Sequence, residues 1–265
     1  MSLRKLLEIE YLKDIPLDDP RTTDLRRRVL KENRFVNRIY REWYALISAA
    51  VPGGPGAMLE LGSGAGFLHE HLPGLIQTEV FSLRDVDVQM DGQYLPFAGE
   101  SVRAIAMTNV LHHIPSARKF FAEAQRVLRP GGVVAMIEPW NSTWSRFIYT
   151  HLHHEPFVPG APDWDFPSSG PLSGANGALP WMIFERDAAL FAREFPHLRI
   201  RQVRLLMPFL YLVSGGVSMR SILPYGSYGL VAGVESLLGP LLPRTAMFAH
   251  IVVQKVGHAN ASRMG

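Results

Sequence analysis

The 265-residue chain contains no cysteine. Disulfides, zinc–thiolate centres and cysteine nucleophiles are therefore excluded, and the composition suits a cytoplasmic protein. Charge of one sign is scarce too. Charged residues make up 19% of the chain and the formal net charge is +3, too little to select nucleic acid as a partner. The first residues, MSLRKLLEIEYLKD, interrupt their apolar positions with charges and form no signal-peptide core. Long apolar runs are missing as well. The nearest approaches, LLMPFLYLVSGGVSM (205–219) and SILPYGSYGLVAGV (221–234), are separated by Arg220, broken by Pro208 and Pro224, and followed by Glu235. Neither reaches the roughly 18–20 apolar residues of a spanning helix. An apolar lid, an oligomer contact and a peripheral membrane face remain as roles for this region, and the oligomeric state stays open.

What the chain does have is apolar mass. Hydrophobic residues are 47% of the total, enough for a sizeable core in one α/β domain with additions. Residues 1–50 read as a helical N-terminal extension. Phe35, Ile39, Trp43 and Leu46 repeat at helical spacing, while Arg21, Arg26, Arg27, Arg28, Lys31, Arg34, Arg38 and Arg41 form a basic stretch beside them. A solvated helix face explains that stretch better than an anionic-surface site. VPGGPG (51–56) breaks the chain, and residues 51–265 follow as the main domain.

In that domain short apolar runs alternate with helix-like segments, the pattern of a parallel sheet covered by helices. Strands are expected over 57–61, 75–79, 86–90, 102–108 and 133–138, with helical runs over 66–72 and 116–132. Residues 139–182 carry six prolines from Pro156 to Pro180 and tryptophans 140, 144, 164 and 181, which suggests an ordered lid insertion. A helix over 184–195 and strands over 198–206 and 246–256 complete the pattern, with an apolar cap over 205–243.

The chemistry starts at MLELGSGAGFLHEHL (58–72), a strand followed by glycines at 62, 64 and 66. Glycines permit a sharp strand-to-helix turn and close approach of a ligand to the backbone. A nicotinamide-binding turn has the form G-x-G-x-x-G. Here Phe67 occupies the third glycine position, so a nicotinamide-dependent oxidoreductase is disfavoured. Glu60 precedes the turn, and an acid there suits a ligand carrying an ammonium group better than a pyrophosphate.

E-x-G-x-G-x-G at the first strand end resembles motif I of the class I S-adenosylmethionine-dependent methyltransferases. DGQYLPFAGESV (91–102), NVLHHIP (109–115) and VLRPGGVVAMIEP (127–139) continue the resemblance in the family's order. The match spans roughly 57–139 and is similar to the type 11 branch that includes ubiquinone- and menaquinone-biosynthesis-like enzymes. It implies a Rossmann-like, doubly wound, mostly parallel seven-stranded sheet with an antiparallel last strand. It also implies S-adenosyl-L-methionine as cofactor and S-adenosyl-L-homocysteine as product. Gly62, Ser63, Gly64 and Gly66 would lie along the cofactor's amino-acid end, with its carboxylate near the start of the 66–72 helix. Glu60 would balance its positive charge. Glu79 is the preferred acid for the ribose hydroxyls and Asp85 the alternative. Asp91, with Gly92 beside it, would accept from the adenine amino group.

Asn109, His112 and His113 follow the fourth strand, where this family faces its acceptor. Either histidine is a candidate base, against the plainer role of ordering the loop. Glu138 is a further candidate facing the pocket. Asn109 and His112 replace acids that hold a metal in some relatives, and in THLHHEPF (150–157) only His151 and Glu155 would share a helix face, with Pro156 following at once. No metal is expected. The acceptor expected is a small, lipophilic or aromatic molecule methylated on oxygen. A second reading is a cofactor-binding protein without turnover, acting as an assembly or regulatory partner. Nucleic-acid and protein acceptors rank low, because NVLHHI stands where the family's amino-nitrogen signature would be.

Overall fold

The computed structural model describes residues 9–12, 15–16, 18–153, 155–167, 170 and 173–257. Seven strands form one sheet: β1 (Ala57–Leu61), β2 (Leu75–Glu79), β3 (Val88–Gln89), β4 (Val102–Thr108), β5 (Leu128–Pro139), β6 (Leu198–Leu206) and β7 (Phe248–Lys255). Their order is β3-β2-β1-β4-β5-β7-β6. The pairs from β3 across to β5 are parallel, and β7 runs antiparallel to both its neighbours. This is the Rossmann-like, doubly wound sheet with one reversed strand.

Period-2 alternation sends neighbouring residues to opposite faces. Leu59, Leu61, Ile105, Met107, Val134 and Met136 pack on one face, under α3 (Ala117–Val127) and residues 179–195. Met58, Ala104, Ala106, Val133, Ala135 and Ile137 pack on the other. There α1 (Arg21–Glu32) and α2 (Arg34–Ala50) bury Phe35, Val36, Ile39, Trp43 and Ile47. Both faces are covered, which is why the central strands read as continuous apolar runs.

Asn33 separates the two helices. Its side chain accepts from Phe35 N–H and Val36 N–H, capping α2, and donates to Ser214 O at 3.0 Å. Such a cap is worth about 1 kcal/mol. Trp43 then stacks on Tyr211 with ring centroids 5.4 Å apart and meets Phe248 at 4.9 Å. The N-terminal helices are thus one layer of the α/β/α sandwich.

Several element bounds differ from expectation. The helical run over 66–72 reduces to one 3₁₀ turn, Leu68–Glu70. The third strand keeps only Val88–Gln89, because the Asp87 side chain already takes the Gln77 N–H at 2.8 Å. The 116–132 helix stops at Val127, and the chain enters β5 before Pro130. Leu128 already pairs with Val102 there, and Gly131 turns at φ +81°. The 184–195 helix splits into a π-helical turn, Met182–Arg186, and Ala188–Glu194. Among the described residues, no helix is long and apolar enough to cross a membrane.

In the basic stretch, Arg28–Glu32 and Arg38–Glu42 pair along their helices. Arg27 reaches Asp24 and Asp85, and Arg41 reaches Glu70. Arg34 and Arg38 also lie over the rings of Tyr225 and Tyr228.

Candidate active site

In an open α/β sheet, ligands gather at the carboxyl ends of the strands where chain order reverses. Here β1 lies between β2 and β4, so the reversal point faces the residues after Leu61, Glu79 and Thr108. A cavity of about 890 Å³ opens there. It is large for a single small ligand, near the upper end of the roughly 300–1,000 Å³ typical of such sites.

The glycine turn forms one wall. Gly62 and Gly64 adopt φ +62° and +46°, a region costly for other residues. A Cβ on Gly62 would meet Val110 Cγ2 at 2.6 Å. Gly66 has another reason to be glycine: a Cβ there would meet Tyr44 Oη at 2.5 Å and Ser63 O at 3.0 Å. Gly62→Ala is expected to destabilise the protein by about 2–4 kcal/mol, from backbone strain plus overpacking. Gly74→Ala, at φ +79° with open space around it, should lose only about 1 kcal/mol. Urea midpoints of the two variants test the difference.

The expected approach of a carboxylate to a helix start at 66–72 is not available as drawn. Phe67 N–H points at Tyr44 Oη, 3.3 Å away, and Gly66 N–H bonds Ser63 O at 2.8 Å. With one 3₁₀ turn behind it, this segment has no helix dipole to offer.

Glu60, next to last in β1, lies on the face toward α2 and is 2% exposed. Burial, with Glu79 nearby, pushes its carboxyl up to about 8. Its Oε2 has no hydrogen-bond partner among the described residues, and the same holds for Ser63 Oγ, Thr108 Oγ1 and Asn109 Oδ1. All four residues line the cavity. Orphaned buried polar atoms are rare in folded proteins. Four around one cavity fit a polar, cation-bearing ligand.

Glu79 ends β2 and also lines the cavity; it accepts from Gly64 N–H at 3.1 Å and Val80 N–H at 2.8 Å. Burial raises its carboxyl, and those backbone bonds oppose the shift. Asp85, by contrast, is exposed, pairs with Arg27 at 3.1 Å and lies outside this cavity. Asp91 and Gly92 line the cavity beyond β3, and Asp91 is held by Gln93 through both backbone and side chain. Asn109 adopts φ +58°, which Asn tolerates better than most residues.

His112 and His113 sit on the 3₁₀ turn Leu111–His113. His112 Nδ1 lies 2.7 Å from Glu138 Oε2, while Glu138 Oε1 accepts from Val110 and Leu111 N–H at 2.8 and 2.7 Å. Glu138 is fully buried and does not line the cavity: three donors behind the turn consume it, which corrects the expectation that it faces the pocket. Burial alone would lower His112, but Glu138 and then Glu155 outweigh it and hold the ring up at about 9. Burial, then the neighbouring His112, lowers His113 to about 3, and its Nδ1 faces Gly174 O at 3.2 Å.

Glu155 completes this cluster, its oxygens 3.4 Å from His112 Nε2 and 3.7 Å from His113 Nε2. The pairing of His151 with Glu155 on one helix face does not form. Helix α4 (Thr143–Leu152) ends before Glu155, and His151 Nδ1 lies against Phe147 O. His154 lies outside the described residues. Glu155 as a partner of His112 was not legible from spacing, because 43 positions separate them. Tyr40, Tyr44, Tyr149 and Tyr211 also line the cavity. In sequence their aromatic spacing looks like ordinary core.

Residues 59–136 match the family model described as a methyltransferase domain. Over that segment, from β1 to β5, the chain is similar to methyltransferase domains. The orphaned Glu60, Ser63, Thr108 and Asn109 atoms beside the glycine turn suit a polar, cation-bearing ligand. No curated protein sequence matches the chain. Among solved structures, a possible histamine N-methyltransferase from Thermotoga maritima is 15% identical, with a TM-score of 0.55, covering 89% of this chain and 97% of that one. A geranyl diphosphate C-methyltransferase from Streptomyces coelicolor is 14% identical, with a TM-score of 0.47 and coverage of 83% and 80%. At such identities the first likeness shows the fold of the methyltransferase domain.

Proposed function

We propose that the chain methylates an oxygen of a small, lipophilic or aromatic acceptor, in the manner of the ubiquinone- and menaquinone-biosynthesis-like branch. The observation that carries this is the two-sided cavity. Its strand-end half is polar, with Glu60, Ser63, Glu79, Asp91 and Asn109. Its other half is apolar and aromatic, with Trp144, Phe147, Ile148, Phe157, Tyr211 and Leu212. His112 and His113 lie on the same walls, between β4 and the apolar cover.

Bound there, the cofactor supplies a methyl group on a cationic sulfur. Glu60 balances positive charge near the turn. Gly62, Ser63, Gly64 and Gly66 leave room for the amino-acid end. Glu79 accepts from the ribose hydroxyls, and Asp91 beside Gly92 holds the adenine end. The dry apolar half excludes water and holds the acceptor in line, a large share of catalysis when the donor is already activated. His112 and His113 hold the acceptor oxygen. Residues 139–182 and 205–243 set specificity, chiefly through 144–157 and 211–222, which supply most of their lining residues. The apolar half argues for a molecule smaller and less charged than nucleic acid, and the basic helix face is largely paired internally.

Calorimetry with S-adenosylhomocysteine, then transfer of a labelled methyl group to a panel of quinols, phenols and prenylated alcohols, tests this. Transfer to a hydroxyl is expected. Binding without transfer to any acceptor would favour the assembly or regulatory role. Glu79→Ala should weaken S-adenosylhomocysteine about 10- to 100-fold, since a charged acceptor of hydrogen bonds is worth about 1.5–3 kcal/mol. Asp85→Ala should leave it unchanged.

A further inference from the structure

We propose that His112, His113 and Glu155 bind one zinc(II) ion through the two imidazole Nε2 atoms and the carboxylate, leaving a fourth position open to the acceptor oxygen. The inference deepens the acceptor-site reading above and rests on it.

Hydrogen bonds fix both rings. His112 Nδ1 faces a carboxylate oxygen of Glu138, and His113 Nδ1 faces the carbonyl of Gly174. Each of those oxygens only accepts, so each Nδ1 is the donor. Both Nε2 atoms are thereby turned outward as candidate electron-pair donors. They converge on Glu155, whose Oε2 and Oε1 lie 3.4 and 3.7 Å away. One ligand atom from each residue lies within 4.8 Å of the others.

Without an ion, His112 and then His153 face the Glu155 carboxylate, and the grouping of the three ligand atoms lets a metal take the place of a proton there. Donors on a tetrahedral ion with bonds of roughly 2.0–2.1 Å sit about 3.4 Å apart. Two imidazoles and one carboxylate, with a fourth position open, is a recurrent catalytic zinc set. Magnesium prefers an all-oxygen shell and keeps its waters, so it fits this set poorly. Outside the three ligands, Glu138 on His112 is the carboxylate–histidine support that orients metal-bound imidazoles. Gly174 O does the same for His113.

The site is also held from both sides of the cavity. His112 O accepts from Asn176 N–H at 2.9 Å, and Pro156 O accepts from Gly177 N–H at 2.9 Å. The turn after β4 and the segment after α4 are thus tied to one loop. Side-chain exposures of 2%, 12% and 15% for His112, His113 and Glu155 leave the cluster dry but reachable from the cavity. A zinc ion there would polarise an acceptor hydroxyl, as zinc does for bound water.

The test uses the full chain, freed of any polyhistidine tag and stripped with a chelator. Zinc(II) is titrated against a chromophoric chelator, and cobalt(II) is followed by its visible absorption. One equivalent of zinc per chain and an intense four-coordinate cobalt spectrum are expected. His113→Ala and Glu155→Gln should each weaken zinc at least tenfold, and Glu138→Gln about 10- to 100-fold. His151→Ala should leave affinity unchanged. Absence of stoichiometric zinc binding by the wild-type chain would overturn the proposal whatever the variants do. Equal affinity in wild type, His113→Ala and Glu155→Gln would overturn it too. S-adenosylhomocysteine calorimetry on the same samples keeps the two readings apart. Cofactor binding without zinc binding removes only the metal, whereas no cofactor binding by the wild type removes the methyltransferase reading.

Discussion

Glu60→Gln is expected to weaken S-adenosylhomocysteine about 10- to 100-fold while making the ligand-free protein more stable at pH 8. The two effects share one cause. Glu60 is buried, one of its oxygens has no partner among the described residues, and burial together with Glu79 raises its carboxyl to about 8. A ligand carrying an ammonium group favours the ionised form, and losing such a charge-assisted contact costs about 1.5–3 kcal/mol.

The ligand-free protein has the opposite preference. Between the unfolded value near 4.5 and the folded value of about 8, the unfolded chain has released this proton and the folded chain retains it. The unfolded state then binds fewer protons, so stability falls as pH rises through that window. Glutamine removes the ionisation at the cost of a buried amide. We expect Glu60→Gln to exceed wild type by about 1–2 kcal/mol at pH 8, with the advantage gone or reversed at pH 5. Wild-type affinity for S-adenosylhomocysteine should rise from pH 6.5 to 8.5, and that of the variant should stay flat. Thermal denaturation and calorimetry across this range decide it. A variant that binds as tightly as wild type would remove Glu60 from the cofactor site.

Glu138→Ala is expected to be the most destabilising single change, at about 3–5 kcal/mol. The residue has no exposed surface and accepts from Val110 N–H, Leu111 N–H and His112 Nδ1. Removing it strands two backbone donors and one imidazole in a dry place, and breaking a buried, hydrogen-bonded charge pair costs that much. Glu138→Gln keeps the shape and one acceptor oxygen, so it should lose about half as much. Urea denaturation at pH 7 measures both, with the slope unchanged if the transition stays two-state. A loss below 1 kcal/mol for Glu138→Ala would show that water replaces the carboxylate and that the turn does not depend on it.

Much of the fold was legible because local patterns and the final environment agree. β1, β2, β4 and β6 fall over the expected residues, since short apolar runs bounded by glycine, proline or polar residues leave few alternatives. The misses lie where side chains or register override propensity. Asp87 occupies the strand edge beside β3, and Val102 recruits Leu128 into β5 ahead of Pro130. At the site, Gly62 and Gly64 were readable because positive φ demands glycine. Gly66 looked the same in sequence, yet its reason is Tyr44, contributed by a helix 22 positions earlier.

The sequence by itself determined the sheet and the glycine turn with its acid, and through their resemblance to methyltransferase motifs it pointed to a cofactor class. All of these depend on residues close together along the chain. Only the tertiary structure decided which side chains meet at the cavity. It placed Glu138 behind His112, brought Glu155 across from the segment after α4, and left Asp85 outside the cavity. Those relations follow from how layers and loops pack over the strand ends, and one-dimensional spacing does not encode distance across a cavity.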